Sequence, residues 1–117
     1  METTEKIAEV EEWLGLRLPE QYAKFLLEHP EKILGERVLL YSVDDLIERN
    51  SIYETKAYCP GHLVIGDDSG GRAFIIPIDK WTGSVFIVDH GDMTEDGCTL
   101  VTTNFDDWIN NDCALPD

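Results

Sequence analysis

The hydrophobic period of this chain changes at His62, and that change limits the possible folds more than any other feature. Beyond it come His62-Leu63-Val64-Ile65, Ala73-Phe74-Ile75-Ile76, Ser84-Val85-Phe86-Ile87-Val88 and Thr99-Leu100-Val101-Thr102. These short β-branched or aromatic runs are separated by turn residues, so they read as successive antiparallel strands of a meander. Before His62 the spacing is helical. Ile7, Val10 and Leu14 fall at i, i+3 and i+7, with Gly15 as a terminator. Tyr22, Phe25 and Leu26 share a second stripe, between Pro19, which suits a first helical turn, and Pro30, which forces a stop. Val38-Leu39-Leu40-Tyr41 reads as a first, buried strand. Ser42, with Asp45 three residues on, then caps a helix running from Val43 into the fifties, with Asn50-Ser51 a candidate break. Asn104 caps a last helix carrying Phe105, Trp108 and Ile109 on one face. The expectation is one α+β domain over residues 1–117. It has a central, mainly antiparallel sheet, N-terminal helices, a helix between the first two strands and a C-terminal helix.

Charge narrows the partners. Twenty-four acidic residues against nine basic ones give a net charge of −15, a field that repels nucleic acid and anionic membranes and attracts basic proteins. The imbalance is uneven. No Lys or Arg follows Lys80, whereas Asp89, Asp92, Glu95, Asp96, Asp106, Asp107, Asp112 and Asp117 do. A solvated surface tuned for solubility accounts equally well for the number. No apolar run approaches the roughly 18 residues of a membrane span, and the acidic start Met1-Glu2-Thr3-Thr4-Glu5-Lys6 lacks the pattern of a secretory signal, so a cytoplasmic location is expected. Cys59, Cys98 and Cys113 are odd in number and far apart, which reads as reduced thiols rather than a disulfide framework or a zinc knuckle.

The turn Ile65-Gly66-Asp67-Asp68-Ser69-Gly70-Gly71 invites chemistry and then fails each test for it. Asp68-Ser69-Gly70-Gly71 is similar to the surroundings of a serine-protease nucleophile. The residue before it is Asp67 rather than Gly, neither His29 nor His62 lies in the context of a catalytic base, and the chain is too short for paired barrels. A phosphate cradle is excluded by the glycine spacing and by two aspartates that would repel the ligand. The alternating oxygen ligands and distant Glu of a calcium loop are absent. A hairpin turn explains the residues without chemistry: aspartates accept backbone hydrogen bonds, and Gly70 or Gly71 supplies a positive φ. His62, His90 and Asp92 have no metal-ligand spacing. No cofactor, metal ion or catalytic group is expected.

Three segments together carry a resemblance. Leu14-Gly15-Leu16-Arg17-Leu18-Pro19-Glu20-Gln21-Tyr22 with Phe25-Leu26, then Leu63-Val64-Ile65-Gly66-Asp67-Asp68-Ser69-Gly70-Gly71, and finally Asn104-Phe105-Asp106-Asp107-Trp108-Ile109 resemble the SUKH superfamily. Its members include bacterial immunity proteins and yeast cell-wall regulators. His29-Pro30-Glu31 departs from the Asn-Gly-Gly-like turn of many relatives. The resemblance implies a non-catalytic α+β domain that binds and neutralises a polymorphic toxin, a basic nuclease-type or deaminase domain being the best match to the charge. A regulatory scaffold or small-ligand binding module of the same fold is the alternative. On the immunity reading, Asp67, Asp68, Asp89, Asp92, Glu95 and Asp96 are the expected toxin-facing acids. Trp81, in the loop Asp79-Lys80-Trp81-Thr82-Gly83, is a candidate anchor. Asp67 and Asp68 suit equally a role confined to the turn, and Trp81 suits packing back on the sheet.

Overall fold

Each change of hydrophobic period in the sequence is matched by a change of element. The computed structural model describes residues 3–29, 33–34, 38–52, 55, 61–68, 70–89 and 98–111. Among them α1 (Thr3–Leu14) and α2 (Glu20–Glu28) lead into strands β1 (Ile33–Leu34) and β2 (Leu39–Leu40). Helix α3 (Val43–Ile52) follows, then β3 (His62–Asp67), β4 (Arg72–Pro77), β5 (Val85–Asp89), β6 (Cys98–Thr102) and α4 (Phe105–Asn110). The strands form one sheet in chain order, each antiparallel to its neighbours. This is the expected α+β meander. The short β1 is an addition to the expected set, so the helix placed between the first two strands lies between β2 and β3. Pro30, Cys59 and Cys113 lie outside the described residues; Cys98 is present as a thiol.

The helices dock through the stripes that the sequence marks. Ile7 and Val10 of α1 are buried, and the chain leaves the helix at Gly15, whose φ of 75° is easy for glycine. Glu11 then reaches past the helix end to accept a 2.7 Å hydrogen bond from the Leu18 amide, fixing the entry to α2. Pro19 occupies the N-cap of α2 rather than its first turn, with an extended ψ of 137°. Tyr22, Phe25 and Leu26 turn inward and meet α4: Phe105 packs edge-on to Tyr22 and Phe25, with centroids at 5.9 and 5.4 Å. Asn104 caps α4 as expected, accepting from the Asp107 amide at 3.1 Å, and Trp108 lies over Phe74 of β4. Burying aromatic side chains of this size contributes about 1.5–3 kcal/mol each, so α4 is anchored mainly by Phe105 and Trp108.

The two central strands explain why their sequences are continuously apolar rather than alternating. Leu63, Val64 and Ile65 of β3 and Ala73 to Ile76 of β4 are all buried, so both faces of the sheet are covered there. Between Val64 and Gly66 the register with β4 shifts, leaving Ile65 as the extra residue of a bulge. Gly66 is where β2 comes closest: a Cβ at this position would lie 2.3 Å from the carbonyl oxygen of Leu39. The glycine of the Ile-Gly-Asp-Asp segment is therefore required by strand approach rather than by turn conformation.

Candidate functional site

The β3–β4 turn is built to satisfy itself. Asp67 closes β3, Gly71 supplies the left-handed φ of 102°, and Arg72 opens β4. Between them the Asp68 carboxylate acts as the hub. Its Oδ1 accepts from the amides of Gly70 at 2.8 Å and Arg72 at 3.0 Å, and its Oδ2 accepts from Arg72 Nε at 3.0 Å. Burial of the carboxyl raises its pKa, but the two amides and the guanidinium outweigh that effect and hold the group below the ordinary carboxylate range. Asp67 is engaged differently: the buried Tyr41 hydroxyl donates to its Oδ2, and the Arg49 guanidinium stacks over the Tyr41 ring at 5.5 Å. Both aspartates thus have structural partners. Ser69 lies outside the described residues.

The residues singled out from sequence fall at two ends of the sheet. Asp67 stands opposite Ala73, and Arg72 stands opposite Asp89. Asp67, Asp68 and the exposed Asp89 are therefore gathered at one end. Asp92, Glu95 and Asp96 belong to the β5–β6 connection, which leaves from that end, and lie outside the described residues, as does His90. Trp81 is in the β4–β5 connection, at the opposite end of a strand roughly 17 Å long. There its indole Nε1 donates to Gln21 at 2.9 Å and its ring meets Phe105 edge-on at 6.0 Å. It borders a hollow of ≈220 Å³ with Gln21, Thr82, Gly83, Thr103 and Asn104. The half-buried Trp81 joins the helical layer and the sheet, apart from the acidic end.

Asn50 is a structural determinant that the sequence reading passed over as a helix break. Helix α3 runs through it to Ile52, and Asn50 is buried on the same face as Val43 and Leu46. β2 pairs with β3 only at Asp67 and Gly66, and the Tyr41 amide adds a bond to the Ile65 carbonyl. Beyond that point the Asn50 amide takes the place of a strand. Oδ1 accepts from the Val64 N–H at 2.8 Å, and Nδ2 donates to the Val64 carbonyl at 3.0 Å and to the Leu46 carbonyl at 2.8 Å. The available signal was positional, since an Asn at i+7 from Val43 and i+4 from Leu46 must share their buried face.

Among the described residues no group of three or more His, Cys, Asp or Glu side chains could hold a metal ion, and no helix is long and apolar enough to cross a membrane. The sequence model of the SMI1/KNR4 family (SUKH-1) matches residues 1–111. The chain is also similar to YnaB of Bacillus subtilis (strain 168), described as an uncharacterised protein. The two are 28% identical over 109 residues, covering 91% of this chain and 72% of YnaB.

Proposed function

The chain belongs to the SMI1/KNR4 (SUKH-1) family, and on that premise we propose that it is an immunity protein that binds and neutralises a cognate polymorphic toxin. The family includes toxin immunity proteins, and the match across residues 1–111 is the observation that carries the reading. The net charge of −15 supports a finer one: a basic partner, such as a nuclease-type or deaminase domain whose own substrate is a polyanion. The end of the sheet bearing Asp67, Asp68 and Asp89, with Asp92, Glu95 and Asp96 in the connection that leaves it, is the proposed electrostatic face. Trp81 is a separate candidate contact at the other end. The proposed role is stoichiometric binding without catalysis.

The test is to read the coding neighbourhood of this chain and to co-express the chain with a toxin C-terminal domain found there. The expected result is a co-purifying complex in which the toxin's activity is lost, with an association rate that falls as salt rises. Reversing Asp89, Asp92 and Glu95 together should slow association by about tenfold, the lower end of what charge steering supplies. An adjacent toxin domain that neither binds nor is inhibited refutes the immunity reading. Binding with an unaltered rate and salt dependence in the triple variant refutes the acidic face alone.

A further inference from the structure

The two edges of the sheet are treated very differently. One edge is β1, only two residues long, and short edge strands are a common way to prevent pairing with another chain. The other is β6, with five residues, Cys98-Thr99-Leu100-Val101-Thr102, and among the described residues only β5 lies beside it. It has no proline and no charged side chain, the usual devices that blunt an open edge. The irregularity in its pairing is confined to the Thr102 end. Cys98, Thr99 and Leu100 stand in regular register against Val88, Ile87 and Phe86. Alternate residues of β6 thus turn their N–H and C=O groups away from the sheet.

An apolar row runs out to this edge. Val64, Ile75, Phe86 and Leu100 stand opposite one another across β3 to β6. The first two are fully buried, Phe86 is half-buried, and Leu100 is 46% exposed. A further strand would continue both the hydrogen-bond ladder and this row. Charge decides what kind of strand. The exposed Asp89 closes β5, next to Val88, which stands opposite Cys98 at the start of β6. A second copy would bring −15 against −15, whereas a basic segment meets a strongly acidic chain, with Asp89 at the Cys98 end of the edge.

We propose that the outer edge of β6 is the docking site for an extended, Lys- or Arg-bearing strand of the partner protein, which adds to the sheet as a seventh strand. Main-chain bonds supply affinity, Leu100 receives an apolar side chain, and Asp89 with the chain's overall negative charge selects basic residues. The proposal rests on the immunity reading for the partner's identity, and the strand-accepting edge is testable without it.

The experiment follows amide hydrogen exchange of residues 98–102 in the full chain. Its two probes are the adjacent toxin domain and a synthetic ten-residue peptide alternating Lys with Val; a peptide alternating Glu with Val is the control. The basic peptide and the toxin domain should both protect β6, and the acidic peptide should not. Leu100→Lys should weaken both contacts by about tenfold or more, because an edge lysine opposes strand addition, while the exchange of β3 and β4 amides stays as in the parent. Absence of β6 protection by the basic peptide overturns the proposal. So does toxin binding that leaves β6 unprotected, or a dimer of the chain alone that Leu100→Lys dissolves. Peptide protection without any toxin binding removes the immunity reading and retains the basic-strand site.

Discussion

Replacing Asn50 with Ala tests whether a side-chain amide completes the sheet. The substitution removes three hydrogen bonds, but they are not equal. The Leu46 carbonyl retains its place in the helix ladder, so its loss is minor. Val64 is fully buried, and its N–H and C=O would both lose the Asn50 partner. An unsatisfied buried group costs about 1–3 kcal/mol, and the two together predict a loss of about 2–5 kcal/mol, water entry limiting the upper end. That is a large fraction of the roughly 5–15 kcal/mol that holds a typical domain together. Urea denaturation at neutral pH measures it, and exchange of the Val64 amide reports whether the lesion is local. Asn50→Asp sharpens the test. Ionised, it still accepts from the Val64 N–H but directs a second oxygen at the Val64 carbonyl; protonated, it can donate there as the amide does. Its folded pKa should lie above its unfolded value. Its stability should therefore be greatest below the unfolded pKa, near 4, and be lost as pH rises through the higher folded value. A loss below about 1 kcal/mol in the alanine variant, or no pH dependence in the aspartate variant, would refute the reasoning.

Two other substitutions probe the turn and its approach to β2. Gly66→Ala places a Cβ against the Leu39 carbonyl, a backbone atom that cannot swing aside, and should destabilise by about 1–3 kcal/mol in the same urea assay. Asp68→Asn should lower stability at neutral pH and flatten its acid limb. The native carboxyl's depressed pKa contributes stability above the unfolded value, near 4, and that contribution is lost as pH falls through the folded pKa. A pH–stability curve identical to the parent's would show that the carboxylate does not hold the turn.

What the sequence revealed was what local physics determines. Period alone separated the helical half from the meander, and Asn104 announced its own cap because the bond it makes is three residues away. Asn50 was misread because its partner, Val64, is 14 residues distant and the need arises only where β2 stops short of it. A residue that breaks helices by propensity is retained here by the bonds it makes outside the helix. β1 escaped notice since two residues carry no periodicity. Gly66 was legible as part of a turn, but its cause is the approach of another strand. The separation of Trp81 from the aspartates could have been read in advance. In a meander successive connections alternate between ends, so the β4–β5 loop cannot share an end with the β3–β4 turn.

That separation and the bonding of Asp68 reshape the proposed electrostatic face. A carboxylate that already accepts two amides and a guanidinium has little capacity to gain from a partner's lysine, and removing Arg72 from it would loosen the turn. On the immunity reading, Asp68 then acts by positioning: it sets the hairpin at the same end of the sheet as the exposed Asp89. Long-range attraction depends on charge whether or not the charge is hydrogen-bonded, whereas short-range contact depends on which oxygens remain available. Salt should accordingly weaken steering by all of these acids alike. Substitutions at Asp68 that keep the turn intact should therefore slow association while leaving the dissociation rate nearly unchanged. Clearly faster dissociation of an Asp68 variant whose fold is preserved would show that the turn itself is part of the contact.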